Sequence, residues 1–249
     1  MNTIAIRVQE IEPLSRSDAM TLAAEELDRF LDVLRSLAPA DWQRPTECEP
    51  WDVRAMATHV LGATESHSSI RETMHQTRAY RKANSGPMID AMTSLQIRDR
   101  ADLSPDDVVA RFERAAPRSV RSRRRMPAPL RRMRMKVDPP FASERWRLGY
   151  LMDVIYNRDA WMHRVDISRA IGRDPVLTAE HDGRLVADIV SEWAGRHGKP
   201  FTLTLTGPAG GAYVAGDSGK QMELDAVEFC RILSGRAQGT GLLTTEVPF

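Results

Sequence analysis

The sequence predicts a helical bundle over about residues 1–175, followed by a small α/β unit over about residues 176–249. Three observations lead there. In the first part, apolar residues recur at spacings of three and four between proline-containing breaks, the period of helices with one buried face. From Phe201 the pattern becomes strict alternation, Phe201-Thr202-Leu203-Thr204-Leu205-Thr206, the period of a half-buried strand. The glycines that follow, Gly207 to Gly216, separate short strand-like runs, which is turn chemistry.

In chain order, Ser15 to Ala38 reads as an amphipathic helix with Leu27, Phe30, Leu31, Leu34 and Leu37 on its stripe. Ser17 or Asp18 caps it and Pro39 ends it. A proline-punctuated loop, Asp41 to Pro50, leads to a second helix from Trp51 to about Lys82, stopped by Asn84-Ser85-Gly86-Pro87. Helical pattern is weak from Pro87 to Asp102. Ser104-Pro105-Asp106-Asp107 has the form of a capping box with proline in the first turn, starting a short helix to about Ala116. Arg118 to Lys136 holds nine basic and no acidic residues, with Pro127 and Pro129 inside it, and reads as a loop or broken helix. A long helix is expected from Phe141 to about Ala170, ended by Gly172 and Pro175. After it come a helix from Thr178 to Gly195, strands at 201–206, 212–215 and 221–224, and a helix capped by Asp225 that runs to about Leu233.

Composition limits the function classes. The chain has 249 residues, 42% hydrophobic and 28% charged, which suits a folded soluble protein with a sizeable core. A net charge of +1 gives no global reason to expect nucleic acid. The two cysteines, Cys48 and Cys230, are too few for a disulfide scaffold and form no CxxC pair, so a reducing cytoplasm is the expected setting. Arg7, Glu10 and Glu12 interrupt the N-terminus where a signal peptide needs an apolar core. The longest uncharged run, Phe201 to Gly216, contains Pro208 and several glycines and is no membrane span.

Chemistry concentrates on the helix through His163. Helical spacing puts Leu151, Ile155, Asp159, Met162, His163, Asp166 and Ala170 on one face. A buried carboxylate there needs a partner, because desolvating an unpaired charge costs several kcal/mol. Either Asp159 pairs with an arginine such as Arg158 or Arg164 and His163 is a hydrogen-bonded core residue, or the two are ligands of an open metal site with a third on a facing helix. The second helix offers His59, near Met56, Ala63 and Ile70 on the wheel, and His67, near Val60 and Met74; periodicity does not choose between them.

The run Trp42…Pro45-Thr46-Glu47-Cys48-Glu49-Pro50-Trp51-Asp52-Val53-Arg54…His59-Val60-Leu61-Gly62 resembles the second-helix signature of mycothiol-dependent maleylpyruvate isomerase-type proteins, members of the DinB-like bundle superfamily. Arg158-Asp159-Ala160-Trp161-Met162-His163-Arg164-Val165-Asp166-Ile167 resembles the family's fourth-helix motif. Leu233-Ser234-Gly235-Arg236 and the closing Val247-Pro248-Phe249 are similar to the end of its second domain, so the resemblance runs from about Leu22 to Phe249. It implies a DinB-like four-helix bundle followed by a small α/β, sterol-carrier-like C-terminal domain. It also implies a divalent metal, zinc by ligand type, held by His59, Asp159 and His163, which decides against His67. The family's best-studied pattern has Glu where this chain has Asp159, one methylene shorter, so weaker or water-mediated ligation is implied.

The family's co-substrate is mycothiol, a low-molecular-weight thiol, and its metal would ionise that thiol for addition to a small electrophile. Addition, bond rotation and elimination give cis–trans isomerisation; addition alone gives S-conjugation. An arginine of the family's second domain serves the site, and Arg236 is the closest match; read alone it supports a turn, or holds a carboxylate by two parallel hydrogen bonds. The basic stretch from Arg118 to Lys136 is a solvated loop, a funnel for anionic substrates, or, least in keeping with its lack of interleaved aromatics, a nucleic-acid patch. Cys48, with no histidine beside it in sequence, reads as a structural residue at the start of the second helix. Two other functions compete with the thiol-dependent enzyme: a non-catalytic metal- or ligand-binding module, and a metal-dependent hydrolase on the same bundle.

Overall fold

A computed structural model describes residues 5–83, 88–137 and 140–249. The chain divides into two compact units, one of Arg16–Pro175 and one of Val176–Phe249 together with Met1–Ser15. The N-terminal segment is thus grouped with the C-terminal unit. The short strand β1 (Ile6–Arg7) pairs in parallel with a strand of the C-terminal unit, and the Arg184 guanidinium donates to the Glu12 carbonyl at 2.6 Å. The stop signal at Asn84–Pro87 lies outside the described residues.

In the bundle, α1 (Arg16–Ser36) buries Met20, Leu22, Ala23, Leu27, Phe30, Leu31 and Leu34, the stripe its spacing predicts. It packs on α5 (Pro105–Arg125), where Phe30 stacks on Phe112 at 5.2 Å between centroids. The helix expected from Trp51 to Lys82 is two helices, α2 (Val53–Ser68) and α3 (Ile70–Ala83). The break falls at Ser69, whose backbone is extended and whose hydroxyl accepts from the Glu72 amide at 3.4 Å, capping α3. Ile70 therefore leaves the α2 wheel and is exposed. Helix α4 (Met88–Arg98) packs with α3 against α2. Asp52 caps α2 by accepting from the Ala55 amide at 2.7 Å, and Ser104 and Asp107 form the expected capping box of α5.

Helix α5 continues through Pro117 to Arg125, past its expected end at Ala116. Proline removes one hydrogen bond, but Ala115, Ala116, Ser119, Val120 and Arg123 are buried on either side of it, and packing carries the helix across. Only the second half of the basic stretch is broken up, into α6 (Ala128–Arg132) and β2 (Arg134–Lys136). Strand β3 (Arg145–Arg147) pairs antiparallel with β2, Met135 opposite Trp146, and Trp146 packs with Val137 and Ile155. Phe141 packs against this cluster rather than opening a helix. Helix begins only at α7 (Leu148–Tyr150) and passes through a π-helical turn, Leu151–Ile155, into α8 (Tyr156–Ala170). Buried Arg123 caps that turn, its guanidinium donating to the Met152 carbonyl and, at 2.8 Å, to Asn157 Oδ1.

Glu26 and Arg164 join α1 to α8 by a two-pronged ion pair, 2.7 and 3.1 Å, with both side chains essentially inaccessible to water. Removing one partner strands a buried charge. Glu26→Ala is expected to lower the unfolding free energy by about 3–5 kcal/mol, read from urea denaturation; a loss below about 1 kcal/mol, the worth of an exposed pair, would contradict the burial.

The C-terminal unit has α9 (Asp182–His197), β4 (Phe201–Thr206), β5 (Gly211–Ala215), β6 (Lys220–Asp225) and α10 (Ala226–Leu233). The sheet order is β1-β5-β4-β6, with β4 antiparallel to β5 and parallel to β6. Phe201, Leu203 and Leu205 face inward, and Trp193 of α9 lies 4.8 Å from Phe201 and 5.3 Å from Phe229. Gly210 has no alternative in the hairpin, because a Cβ there would sit 2.1 Å from the Leu205 carbonyl oxygen. Among the described residues no helix is long and apolar enough to cross a membrane.

Candidate metal centre

Two helices supply the candidate ligands. The loop before α2 folds back on itself: Thr46 donates from its amide and hydroxyl to the Trp51 carbonyl at 2.9 and 2.8 Å, and the Trp51 amide donates to the Cys48 carbonyl at 2.8 Å. The Trp51 ring thereby lies over two histidines, 5.4 Å from His59 of α2 and 6.0 Å from His163 of α8. Asp159 stands one turn before His163 and faces both rings. His59 Nε2 is 3.6 Å from one carboxylate oxygen and His163 Nε2 is 3.3 Å from the other. One ligand atom from each of the three residues lies within 4.8 Å of the other two. His59 and His163 are buried and Asp159 is half-buried. Arg164, one of the arginines considered as a partner for Asp159, pairs instead with Glu26.

The outer nitrogens are engaged as well. His59 Nδ1 is 2.8 Å from Gln96 Oε1 of α4, and His163 Nδ1 is 3.2 Å from Asp166 Oδ2. Amide and carboxylate oxygens only accept, so each Nδ1 carries the hydrogen. In the neutral rings both Nε2 lone pairs then point at a carboxylate. Three acceptors converge without a donor among them, the donor set of a cation site with two imidazoles and one carboxylate. A proton on His163 also satisfies this set. Burial of His163 disfavours its charge, but Asp159, followed by Asp166, overrides that and raises its pKa to about 9. Asp159 is pulled the other way: burial opposes its ionisation, but His163 and His59 hold its carboxyl well below the ordinary carboxylate range.

His67 lies apart from this group. Its Nδ1 donates to the Ala63 carbonyl at 2.7 Å and its ring meets Tyr156 edge-on at 4.2 Å. Burial, with Arg123 nearby, lowers its pKa to about 3, so it is a neutral imidazole. It shares with Thr64, Arg123, Tyr156 and Asp159 a cavity of about 20 Å³, room for a water molecule. Burial and then Asp159 push the Tyr156 phenol up to about 12.

Arg236 lies in the C-terminal unit, half-buried on the turn after α10, where Gly235 takes a φ of 79° and the Arg236 amide donates to the Arg231 carbonyl at 2.9 Å. Three contacts were not anticipated from sequence. Gln96 sits where helical pattern is weak. Trp51, expected to open the second helix, lies before the α2 cap and stands against both histidines. Cys48, read as a structural residue with no histidine beside it in sequence, turns its thiol toward Asp166, 3.6 Å from Sγ to Oδ2, and with His163 and Asp166 forms a second group of potential ligand atoms within 4.8 Å of one another.

No curated protein matches the chain. Two solved structures, of mycothiol-dependent maleylpyruvate isomerase and of a histidine-to-alanine mutant of it, share the fold; each is 16% identical, with 98% of both chains covered and a TM-score of 0.58. Residues 23–168, which carry the cap of α2, His59, Asp159 and His163, match the family model of the mycothiol maleylpyruvate isomerase N-terminal domain, and the chain belongs to that family.

Proposed function

We propose that the protein is a metal- and mycothiol-dependent isomerase or S-transferase of a small electrophile, with one divalent ion, zinc by ligand type, held by His59, Asp159 and His163. The observation that carries this reading is the convergence of two Nε2 lone pairs and a carboxylate with both Nδ1 hydrogens already committed. When bound, such an ion lowers the pKa of a thiol below the roughly 8.5 of free cysteine. The protein's own groups do the rest. Asp166 and Gln96 hold the ring orientations, and Trp51 screens the ligands from water. Addition of the thiol to one carbon of a cis double bond, rotation about the resulting single bond and elimination of the same thiol return mycothiol unchanged, so isomerisation needs no oxidant. Maleylpyruvate, named in the structural relatives, is the first substrate to assay.

Cobalt substitution tests the thiol. With Cys48 and Cys230 replaced by serine, mycothiol is expected to produce a saturable sulfur-to-cobalt charge-transfer band in the near ultraviolet, which imidazole and carboxylate ligands do not give. A cobalt protein without that band at any thiol concentration removes mycothiol from the chemistry and favours a hydrolase or binding module. The ligand set has its own test. His59→Ala should weaken zinc far more than His67→Ala in competition with a chromogenic chelator, since the His67 Nδ1 is spent on a backbone carbonyl. Equal losses would refute the assignment of His59.

A further inference from the structure

Beyond the ligands, two buried glutamines form a chain that ends on His59. Gln96 Oε1 accepts from His59 Nδ1 at 2.8 Å, Gln96 Nε2 donates to Gln76 Oε1 at 3.0 Å, and Gln76 Nε2 donates to the Gly62 carbonyl at 3.0 Å and to Glu72 Oε1 at 2.9 Å. Gln76 is 0% exposed and Gln96 5%. Burying two amides is unfavourable unless each hydrogen bond is made. Apolar side chains would join α3 and α4 to α2 without that demand.

We propose that Gln76 and Gln96 are positioning residues that set the tautomer of His59, keeping the hydrogen on Nδ1 and the lone pair on Nε2 toward Asp159 and the metal. The direction of the chain follows from its far end. A backbone carbonyl accepts only. Glu72 is bound by Arg100 at 2.8 Å, and although burial opposes its charge, Gln76 and Arg100 hold its pKa below the ordinary value, so it too accepts only. Gln76 must turn its NH2 to these two acceptors, which leaves its oxygen facing Gln96. Gln96 must then present NH2 to Gln76 and oxygen to His59. His59 is left as the donor at Nδ1. Flipping either amide sets oxygen against oxygen in a buried site. The order of donors is thus fixed by the network, starting from buried Arg100, which also holds Glu65 at 2.6 Å.

Gly62, one turn beyond His59, makes the approach possible. A Cβ at position 62 would lie 2.6 Å from Gln96 Cβ and 2.7 Å from its Cγ, so α4 reaches this depth against α2 only over a glycine. The His59-Val60-Leu61-Gly62 run therefore carries both a candidate ligand and the gap through which its partner is delivered.

Nitrogen-15 NMR of histidine-labelled, metal-free protein reads the tautomer directly through two-bond correlations of ring nitrogens to carbon-bound hydrogens. His59 is assigned by its absence in His59→Ala, and spectra are taken well above pH 9, where His163 has also given up its proton. Wild type should show His59 protonated at Nδ1. Gln96→Leu should shift the population toward Nε2–H, and Gln76→Leu, which frees the Gln96 amide to flip, should give a mixture. The His67 signals should stay unchanged. Zinc affinity should fall roughly 10- to 100-fold in Gln96→Leu, the usual effect of losing such an outer partner. The affinity arm rests on the proposed metal site, whereas the tautomer arm does not. Wild-type protein that shows the expected tautomer but binds no zinc refutes the metal reading and keeps the relay. His59 protonated at Nε2 in wild type, or a folded Gln96→Leu with unchanged tautomer, overturns the relay whatever the metal does.

Discussion

His163→Ala is expected to take the protein from about one tightly held zinc per chain to none at dilute metal, because it removes one of three protein ligands of an open site. The histidine is buried, and its Nε2 faces Asp159 at 3.3 Å. The loss appears twice, as metal content and as stability. At free zinc 100 times the dissociation constant, binding stabilises the native wild type by about 2.7 kcal/mol, and the variant should gain none of it. One companion variant is needed, because His163 also belongs to the group with Cys48 and Asp166. Cys48→Ser separates the two. It leaves zinc binding nearly intact if the ion sits among His59, Asp159 and His163, and lowers it sharply if sulfur is a ligand. Full metal occupancy in a folded His163→Ala protein would put the site elsewhere.

How far the sequence anticipates this arrangement depends on how local each determinant is. The stripe of α1, the capping box at Ser104 and the Asp225 cap are contained in one or two turns, and each forms as its spacing predicts. The division between α2 and α3 was also written locally, in the Ser69-Ile70-Arg71-Glu72 capping signature, but an uninterrupted run of helix-compatible residues masks it. Continuation of α5 through Pro117 and the β2–β3 hairpin were not local. Packing of Ala116 and Val120 decides the first, and a single Met135–Trp146 step in otherwise charged strands decides the second. The site divides in the same way. Asp159 and His163 share a face by spacing alone. The choice between His59 and His67 was invisible to periodicity because α2 is buried almost all round from Val53 to Thr64, leaving no single inner face to read. Gln96 and Gln76 reach His59 from other helices, through contacts 37 and 20 residues long in sequence, and no pattern within either helix marks them.

Zinc affinity is expected to climb steeply with pH and to level off near pH 9. In the metal-free protein His163 carries a proton up to about pH 9, held chiefly by Asp159 against the cost of burial. Asp159 stays ionised across the whole range and adds nothing to the slope. An entering ion must displace the His163 proton, so below pH 9 each unit of pH raises the apparent affinity about tenfold, and above it the dependence vanishes. From the ordinary imidazole value of 6.5 to about 9, the gain is roughly 300-fold. The same proton governs metal-free stability with the opposite sign. A group whose pKa is raised by folding stabilises the native state fully below its unfolded value and loses that contribution as pH rises through the folded one. Metal-free protein should therefore melt at progressively lower temperature between about pH 6.5 and 9, while zinc-loaded protein, with no such proton to lose, should hold its melting temperature. Calorimetric titrations in buffers of different ionisation enthalpy count the proton released, expected to be about one per zinc below pH 8 and falling toward zero above pH 9. An affinity that is flat from pH 6.5 to 9, with no proton released, would mean that the ion does not compete for His163 Nε2, and the three-residue site would have to be abandoned even if zinc binds.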